Sequence, residues 1–343
     1  MRILVLGGTE FVGRALVDEA VGRGHEVTTL NRGHQAADAR VTSLPGDRTA
    51  PGGLAALENG QWDVVLDTWS WDSYVVNDSV RALREKVQRY VFISTRSVYE
   101  FPTPAGADES APLVQGDPEA GRDGAEVPYA EAKRGAEIAV ERGVSERHLL
   151  VRAGLILGPH ENVGRLPWWL GRMARGGDVL APGPEDLPLQ YVDARDLAAW
   201  TLEAVHKELS GPFDLIGAPG RTTMGDLLRT CAEVTGSDAR LHWAEPEAVL
   251  AAGIEPWTEL PVWLPPGPDH AGMHLSDPSK ALAAGLHCRP VQETVADTWA
   301  WLQSIGGQAP QRPDRPPKGI DPVKEAEFLR KSKGRLTEED SPR

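Results

Sequence analysis

The 343-residue sequence predicts an α/β protein built on a doubly wound parallel sheet, with a smaller C-terminal α+β lobe. Three observations predict it. The chain opens on an apolar run, Arg2 to Leu6, that ends in the glycine-rich turn Gly7 to Gly13, and a stretch with apolar residues at helical spacing follows (Ala15, Leu16, Ala20, Val21). A second β-type run, His25 to Leu30, closes that unit. Short apolar runs then alternate with helical stretches as far as Arg152, the pattern of strands and crossover helices that covers both faces of a parallel sheet.

Strand, glycine turn, helix and strand make one half of a dinucleotide-binding Rossmann fold. A pyrophosphate would sit against the helix N-terminus, where unpaired N–H groups and the helix dipole favour an anion. Gly7 and Gly13 suit the tight turn and the close helix–strand packing. Glu10 stands where such turns usually carry a middle glycine. A carboxylate aimed at a pyrophosphate would be repelled, so Glu10 is expected to face solvent. The second strand of an NAD-binding unit typically ends in an acid that takes the ribose 2′-OH, whereas this one ends in Asn31-Arg32. A guanidinium there suits a 2′-phosphate through charge-assisted hydrogen bonds, so NADP is expected and NAD is the less favoured cofactor.

Further along, a run at Arg40 to Leu44 leads into Gly46-Asp47-Arg48, a carboxylate placed to reach an adenine amino group. Trp62 to Thr68 and Arg89 to Thr95 read as strands, with a helix over Ser73 to Val87 between them. The polar, Pro/Gly-rich stretch Glu100 to Pro128 is long for a connection and is expected to act as a partial lid. Tyr129 to Glu141 reads as a helix and His148 to Arg152 as a strand. Beyond Gly158 the texture changes: a helix over Gly164 to Arg175, a strand over Leu187 to Val192, and a helix from Asp193 to His206. Helices over Met224 to Thr235 and Glu245 to Gly253, with β-type runs at Pro212 to Ile216 and Leu241 to Trp243, suit a smaller lobe. Pro256 to Pro268 cannot be regular, because its prolines fix φ and remove donors.

The expected division is a dinucleotide-binding domain over 1–158, to which 187–216 return, and a substrate lobe over 159–186 and 217–305. Residues 306–343 read as a Pro-rich linker, a short helix to about Lys331 and a disordered tail.

A hydrophobic content of 41% and a charged content of 25% are those of a soluble globular protein. The net charge of −14 argues against nucleic acid or an anionic membrane as partner, leaving a small-molecule substrate. No apolar run approaches the ~20 residues of a membrane span. Cys231 and Cys288 give neither a disulfide framework nor a metal-ligand spacing, so no metal and a reducing cytoplasm are expected.

The chemistry points to Tyr129-Ala130-Glu131-Ala132-Lys133, which stacks a phenol and an ammonium one turn apart on one helix face. The ammonium favours the phenolate. A tyrosine so tuned can pass a proton to or from an oxygen whose carbon exchanges hydride with nicotinamide. The pattern alone is short enough to arise by chance; its place, one element after the run ending Ser94-Thr95-Arg96-Ser97-Val98-Tyr99, singles it out. Hydroxyls there lie at the carboxyl edge of the sheet, where such folds bind ligands.

These stretches together resemble the short-chain dehydrogenase/reductase superfamily, in its extended or atypical, NAD-dependent epimerase/dehydratase-like branch. The resemblance covers residues 1 to about 303 and rests on GGTEFVG at 7–13, NRG at 31–33, GDR at 46–48, FISTRSVY at 92–99, YAEAK at 129–133, VRAGLILGP at 151–159 and LQYVDARDLA at 189–198. It implies Tyr129 as acid/base with Lys133 as its partner, and Thr95 as the substrate-facing hydroxyl, with Ser94 and Ser97 as alternatives. It implies a cofactor lined by Gly7, Thr9, Phe11, Val12, Gly13, Arg32 and Asp47; Glu10, Asn31, Arg48, Thr68 and Lys133 are further cofactor-binding candidates by position. It also implies a homodimer pairing the helices of Ser73–Val87 and Tyr129–Glu141. Glu10 departs from the family pattern and matches atypical members, some of which have lost catalysis; the intact Tyr129/Lys133 pair argues against that loss.

On the substrate side, tryptophan offers area and stacking for a ring. Trp69 and Trp71, just after the fourth strand, are the favoured candidates, with Trp168 beyond them; Ser97, His160 and Arg165 are candidates to orient a polar group or a phosphate. The leading expectation is an NADP(H)-dependent oxidoreductase acting on a carbonyl or alcohol. The alternatives are a nucleotide-sugar epimerase, dehydratase or 4-ketoreductase with retained NAD(P), and a non-catalytic NADP-binding protein.

Overall fold

The computed structural model describes residues 1–33, 38–308, 312 and 316–339, with side chains as far as Ser332. In chain order the first elements are β1 Arg2–Leu6, α1 Phe11–Gly22, β2 Glu26–Asn31, β3 Thr42–Pro45, β4 Trp62–Asp67, α2 Ser73–Leu83, β5 Val87–Thr95, α3 Tyr129–Val144, β6 His148–Ala153 and β7 Leu155–Leu157. Then come α4 Leu166–Ala174, β8 Asp178–Pro182, β9 Tyr191–Asp193, α5 Ala194–His206, β10 Gly211–Leu215, α6 Met224–Thr235 and β11 Arg240–Ala244. Four more helices follow: α7 Pro246–Ala251, α8 Ala271–His274, α9 Ser279–Ala283 and α10 Val291–Ser304, before the C-terminal α11 Pro322–Glu339. The chain forms two compact units. The first takes 1–156, 191–218 and 276–288, and the second takes the remaining described residues.

The first unit is a seven-stranded parallel sheet in the order β10-β6-β5-β4-β1-β2-β3. Its strands are near-continuous apolar runs because both faces are covered. Alternate residues supply two separate cores, as a period of two requires. Ile3, Val5, Val64, Leu66, Leu149 and Val151 pack with α1 and α5 residues such as Leu16, Ala20 and Leu197. Leu4, Leu6, Val65, Phe92 and Leu150 pack with Val76, Val80, Ala136 and Val140 of α2 and α3. Strand order reverses between β1 and β4. The crevice beyond the carboxyl ends at such a switch point is where open α/β sheets bind ligands. Into it lead the glycine turn after β1, Thr68 to Trp71 after β4 and Thr95 at the end of β5.

Several boundaries differ from expectation. Residues 276–288 join the first unit rather than the lobe: Ala281, Leu286 and Cys288 enter its core, Asp277 N–H donates to the Ala107 carbonyl at 3.0 Å, and Lys280 Nζ donates to the Pro212 carbonyl at 2.6 Å. The strand expected over Leu187 to Val192 shortens to β9, because Pro184 and Pro188 break it and Leu187 N–H turns back to the Pro184 carbonyl at 3.0 Å. β8 carries no sequence signal that was read. The loop after β5 is tied down instead of poised as a lid. Glu100 N–H donates to the Pro112 carbonyl and Val114 N–H to the Val98 carbonyl, each at 2.9 Å, and Glu119 receives Asn77 and Arg81 of α2, both at 2.7 Å.

The second unit packs α4, α6 and α10 together and carries a two-stranded parallel ladder, β8–β11. Trp169 and Trp263 are its largest buried side chains, and each indole N–H finds a carbonyl, of Pro261 at 2.7 Å and of Gly183 at 2.9 Å. The C-terminal helix continues to Glu339, past Lys331, where a disordered tail was expected; residues 340–343 and most of the Pro-rich linker (309–311, 313–315) lie outside the described residues. Among the described residues no helix is long and apolar enough to cross a membrane.

Candidate active site

The glycine turn is closed so tightly that side chains do not fit. Gly7 has φ +115°, and a Cβ there would lie 2.5 Å from Thr68 Oγ1; at Gly13 it would lie 2.7 Å from the Gly8 backbone N. Thr9 and Glu10 follow, and Phe11 opens α1 with a strained φ of 30° while its ring is buried. Val12 packs half-buried on the α1/α5 core. Glu10 is the N-cap residue, exposed, and its side chain forms no cap on α1. A part-buried backbone turn at a helix N-terminus without a side-chain cap, reached at the switch point of a parallel sheet, fits the pyrophosphate of a dinucleotide.

At the end of β2, Asn31 builds the next turn: its Oδ1 accepts Gly33 N–H at 3.0 Å and its Nδ2 reaches the Thr29 and Ser43 hydroxyls at 3.3 Å. That turn presents Arg32, exposed and with no ion pair among the described residues. Asp47 accepts Thr49 N–H at 3.0 Å and the Thr49 hydroxyl at 2.7 Å, which fixes the turn after β3. Two residues expected on the cofactor are engaged elsewhere. The Arg48 guanidinium turns inward, donating to both Asp67 oxygens at 2.7 Å and to Ser79 at 2.8 Å, and the Thr68 hydroxyl donates to the Leu6 carbonyl at 3.0 Å. Burial explains the first correction, since Asp67 is fully enclosed and needs a counter-charge.

Helix α3 begins at Tyr129, which is 39% exposed, and carries Lys133 and Glu137 on the two following turns of the same face. Lys133 is buried, and its Nζ donates to the Trp69 carbonyl at 2.7 Å and to the Ile93 carbonyl at 2.6 Å. Its ammonium therefore sits at the carboxyl ends of β4 and β5. Burial pulls its pKa down to about 7, although the Asp67 and Glu137 charges oppose the shift.

Thr95 ends β5, accepts Ser97 N–H at 3.1 Å and lies 3.2 Å from the Ser97 hydroxyl, so these two hydroxyls share the sheet's edge. Ser94, the third hydroxyl considered, is buried and donates to Glu137 at 2.7 Å. The sequence reading missed what lies beneath. Ser94, Arg152 and Asp214 are level with one another on β5, β6 and β10. Arg152 grips Glu137 with two bonds of 2.9 Å and donates to the Tyr99 hydroxyl at 3.2 Å; Tyr99 in turn donates to Asp214 at 2.7 Å, and Arg96 donates to Asp214 at 2.5 Å. Burial raises the Asp214 carboxyl to about 6 against the pull of Arg96, and raises Tyr99 as well. Ser94 and Arg96, the neighbours of Thr95, are thus both anchored below the edge. Glu137 had one legible signal, its place a further turn beyond Lys133; Arg152 and Asp214 had none, because their partners are distant in sequence.

The substrate candidates divide. Trp69 packs on the α2/α3 core, donates its indole N–H to the Asp72 carbonyl at 3.0 Å and lies under Arg48, 5.2 Å away, so it lines the core. Trp71, at 37% exposure, and Ser97 remain at the surface. The other three belong to the second unit. His160 rests against Trp301 with ring centroids 5.1 Å apart. Arg165 Nε pairs with buried Glu161 at 3.0 Å, and Glu161 also takes the backbone N–H groups that open α4. Trp168 meets Trp169 edge-on at 4.6 Å. Among the described residues no group of three or more His, Cys, Asp or Glu side chains could hold a metal ion, and both cysteines are free and buried.

This sheet, turn and helix define a nicotinamide-nucleotide enzyme of the short-chain dehydrogenase/reductase type. The chain belongs to the NAD dependent epimerase/dehydratase family, whose model matches residues 3–213. Among solved structures it resembles the Bordetella bronchiseptica enzyme WbmH in complex with NAD+, at 18% identity and a TM-score of 0.68, covering 89% of this chain and 99% of that one. WbmG from the same organism, in complex with NAD and UDP, matches at 17% identity and a TM-score of 0.66, over 92% of this chain and 99% of that one. UDP-N-acetylglucosamine 4-epimerase from Bacillus cereus matches at 17% identity and a TM-score of 0.64, over 87% and 98%. No curated protein matched the sequence.

The depressed Lys133 pKa has a consequence for stability. Between about pH 7 and its unfolded value the unfolded chain holds a proton that the folded chain lacks, so stability rises with pH. Denaturant unfolding from pH 7 to 9 should show wild type gaining on Lys133→Met by roughly 1 kcal/mol per pH unit. Parallel curves for the two proteins would contradict the burial of this amine.

Proposed function

We propose that the chain is an NADP(H)-dependent oxidoreductase that moves hydride to or from a substrate carbonyl or alcohol carbon, with Tyr129 as acid/base. The observation that carries this reading is Lys133: two of its three N–H donors are spent on carbonyls at the ends of β4 and β5, one helical turn from exposed Tyr129. While the amine is protonated, its remaining donor supports a phenolate or a ribose hydroxyl. Gly7, Thr9, Phe11, Val12 and Gly13 would hold the cofactor pyrophosphate, Asp47 the adenine and Arg32 the 2′-phosphate; the bound nucleotide supplies or accepts the hydride.

In the reducing direction Thr95 donates a hydrogen bond to the substrate carbonyl oxygen, and Tyr129 gives that oxygen its proton as the carbon receives hydride. The product is an alcohol, and Tyr129 is reprotonated from solvent. In the oxidising direction Tyr129 removes the hydroxyl proton instead. Trp71 offers an exposed ring face to an apolar or sugar-ring substrate. A small-molecule substrate and a reducing, cytoplasmic setting agree with the net charge of −14 and the two free cysteines. A homodimer through α2 and α3 would bring the segment around Glu119, tied to α2, into its interface.

A second reading is favoured by the family, by the UDP-N-acetylglucosamine 4-epimerase among the structural relatives and by the UDP bound to WbmG. In that reading the chain is a nucleotide-sugar epimerase, dehydratase or 4-ketoreductase that retains NAD(P) and returns the hydride.

Purified protein should oxidise NADPH against a panel of ketones, and Tyr129→Phe should lower kcat about 10²–10⁴-fold while cofactor binding persists. Isomerisation of a UDP-sugar with no added cofactor would establish the second reading in place of the first. Equal activity in wild type and Tyr129→Phe would remove Tyr129 as acid/base, and no turnover by wild type on either panel would leave a non-catalytic nucleotide binder. Arg32→Ala should cut the preference for NADPH over NADH by about tenfold or more, in line with loss of a charge-assisted hydrogen bond; an unchanged ratio of kcat/KM values would remove Arg32 from the cofactor site.

A further inference from the structure

A cavity of about 520 Å³ lies within the second unit, between the C-terminal end of α4, the start of β8 and the first turns of α11. One wall is a completed ion pair. Arg172, buried, donates from Nε to both Glu325 oxygens at 3.0 and 2.7 Å and from Nη1 to the Gly176 carbonyl at 3.1 Å, while Glu325 also accepts Leu180 N–H at 3.1 Å. Asp178 on the rim is likewise engaged, by Arg240 at 3.0 Å and His242 at 2.9 Å.

Two further guanidinium groups line the same space, Arg175 at the end of α4 and Arg330 on α11. Neither makes a hydrogen bond or ion pair among the described residues. Elsewhere in this chain, which has 50 acidic residues to 36 Lys and Arg, exposed arginines such as Arg40, Arg81 and Arg122 find carboxylates. Partial burial, and then the neighbouring Arg172 charge, pull the Arg175 pKa below its usual value, opposed by the Glu325 carboxylate. A helix C-terminus welcomes a cation but leaves its N–H fork unused. Beside these cations the lining is apolar, with Ala326 and Leu329. The volume lies in the range of small-molecule sites.

We propose that this cavity binds a small phosphorylated organic molecule, with Arg175 and Arg330 on the phosphate and the apolar α11 face against the organic body. The planar guanidinium fork matches phosphate oxygens, and two unneutralised forks suit a dianion. The site is made wholly of second-unit residues and uses none of those assigned to the nicotinamide nucleotide.

The test is isothermal titration of the full chain, with saturating NADPH present, using glucose 6-phosphate, glycerol 3-phosphate and inorganic phosphate as probes. At least one ester should bind more tightly than inorganic phosphate. Arg175→Ala and Arg330→Ala should each weaken it tenfold or more, and Arg32→Ala should leave it unchanged. Both arginines are exposed and unpaired, so the variants should keep the wild-type thermal midpoint. No heat from any probe, equal binding by the arginine variants, or binding lost only in Arg32→Ala would overturn the proposal.

Discussion

A single buried ion pair, Glu137 on α3 with Arg152 on β6, holds the reactive helix against the sheet. Both side chains are almost wholly enclosed; without Glu137, Arg152 would be an uncompensated charge in a low-dielectric interior, whereas Glu137 also accepts Arg134 Nη1 at 2.9 Å. The pair is poor evidence of net stability, since a well-packed apolar pair of similar volume could do as well. What it supplies is register. Glu137, Lys133 and Tyr129 lie at successive turns of one face, so fixing the first against β6 fixes the rotation of α3 and with it the other two. Ser94 joins the pair from β5, and Arg152 passes the connection through Tyr99 to Asp214 and Arg96. Thr95 therefore stands between two anchored neighbours.

The same device recurs wherever a functional edge needs a rigid base. Arg48 and Asp67 pair beneath the end of β4, with Tyr90 donating to the same carboxylate at 2.6 Å. Glu161 and Arg165 set the start of α4, and Arg172 and Glu325 seat α11 on β8 in the second unit. Among the described residues these pairs engage buried charge, while Arg32, Arg175 and Arg330 make no ion pair. The functional readings of both units draw on those three arginines.

The sequence made visible what is local. The glycine turn, the Asn31-Arg32 ending of β2 and the i, i+4 spacing of Tyr129 and Lys133 on α3 depend on neighbours within a few residues, and the elements that carry them form where that spacing puts them. What needed distant partners was hidden. Arg48 read as a cofactor residue because Gly46-Asp47-Arg48 looks like a turn at the sheet edge, but Asp67, nineteen positions on, claims its guanidinium. Arg152 and Asp214 read as strand filler because their partners lie on other elements. The return of 276–288 to the first core carries no composition change, and the strap after β5 is fixed by contacts with α2 that loop composition does not encode. The substrate candidates fared unevenly for the same reason: Trp69 and Trp168 read as ring platforms, yet their immediate packing partners use them as walls.

The account is tested most directly by a cycle on the pair itself, comparing stability and turnover in Glu137→Gln, Arg152→Met and the double variant Glu137→Leu with Arg152→Met. Glu137→Gln should cost about 3–5 kcal/mol by stranding the buried Arg152 charge, Arg152→Met should cost less because Arg134 still pairs with Glu137, and the apolar double should recover much of the larger loss. Turnover of the recovered double should stay depressed, because α3 and the end of β5 have lost the contact that sets Tyr129, Lys133 and Thr95. A double variant with both wild-type stability and wild-type turnover would contradict the account.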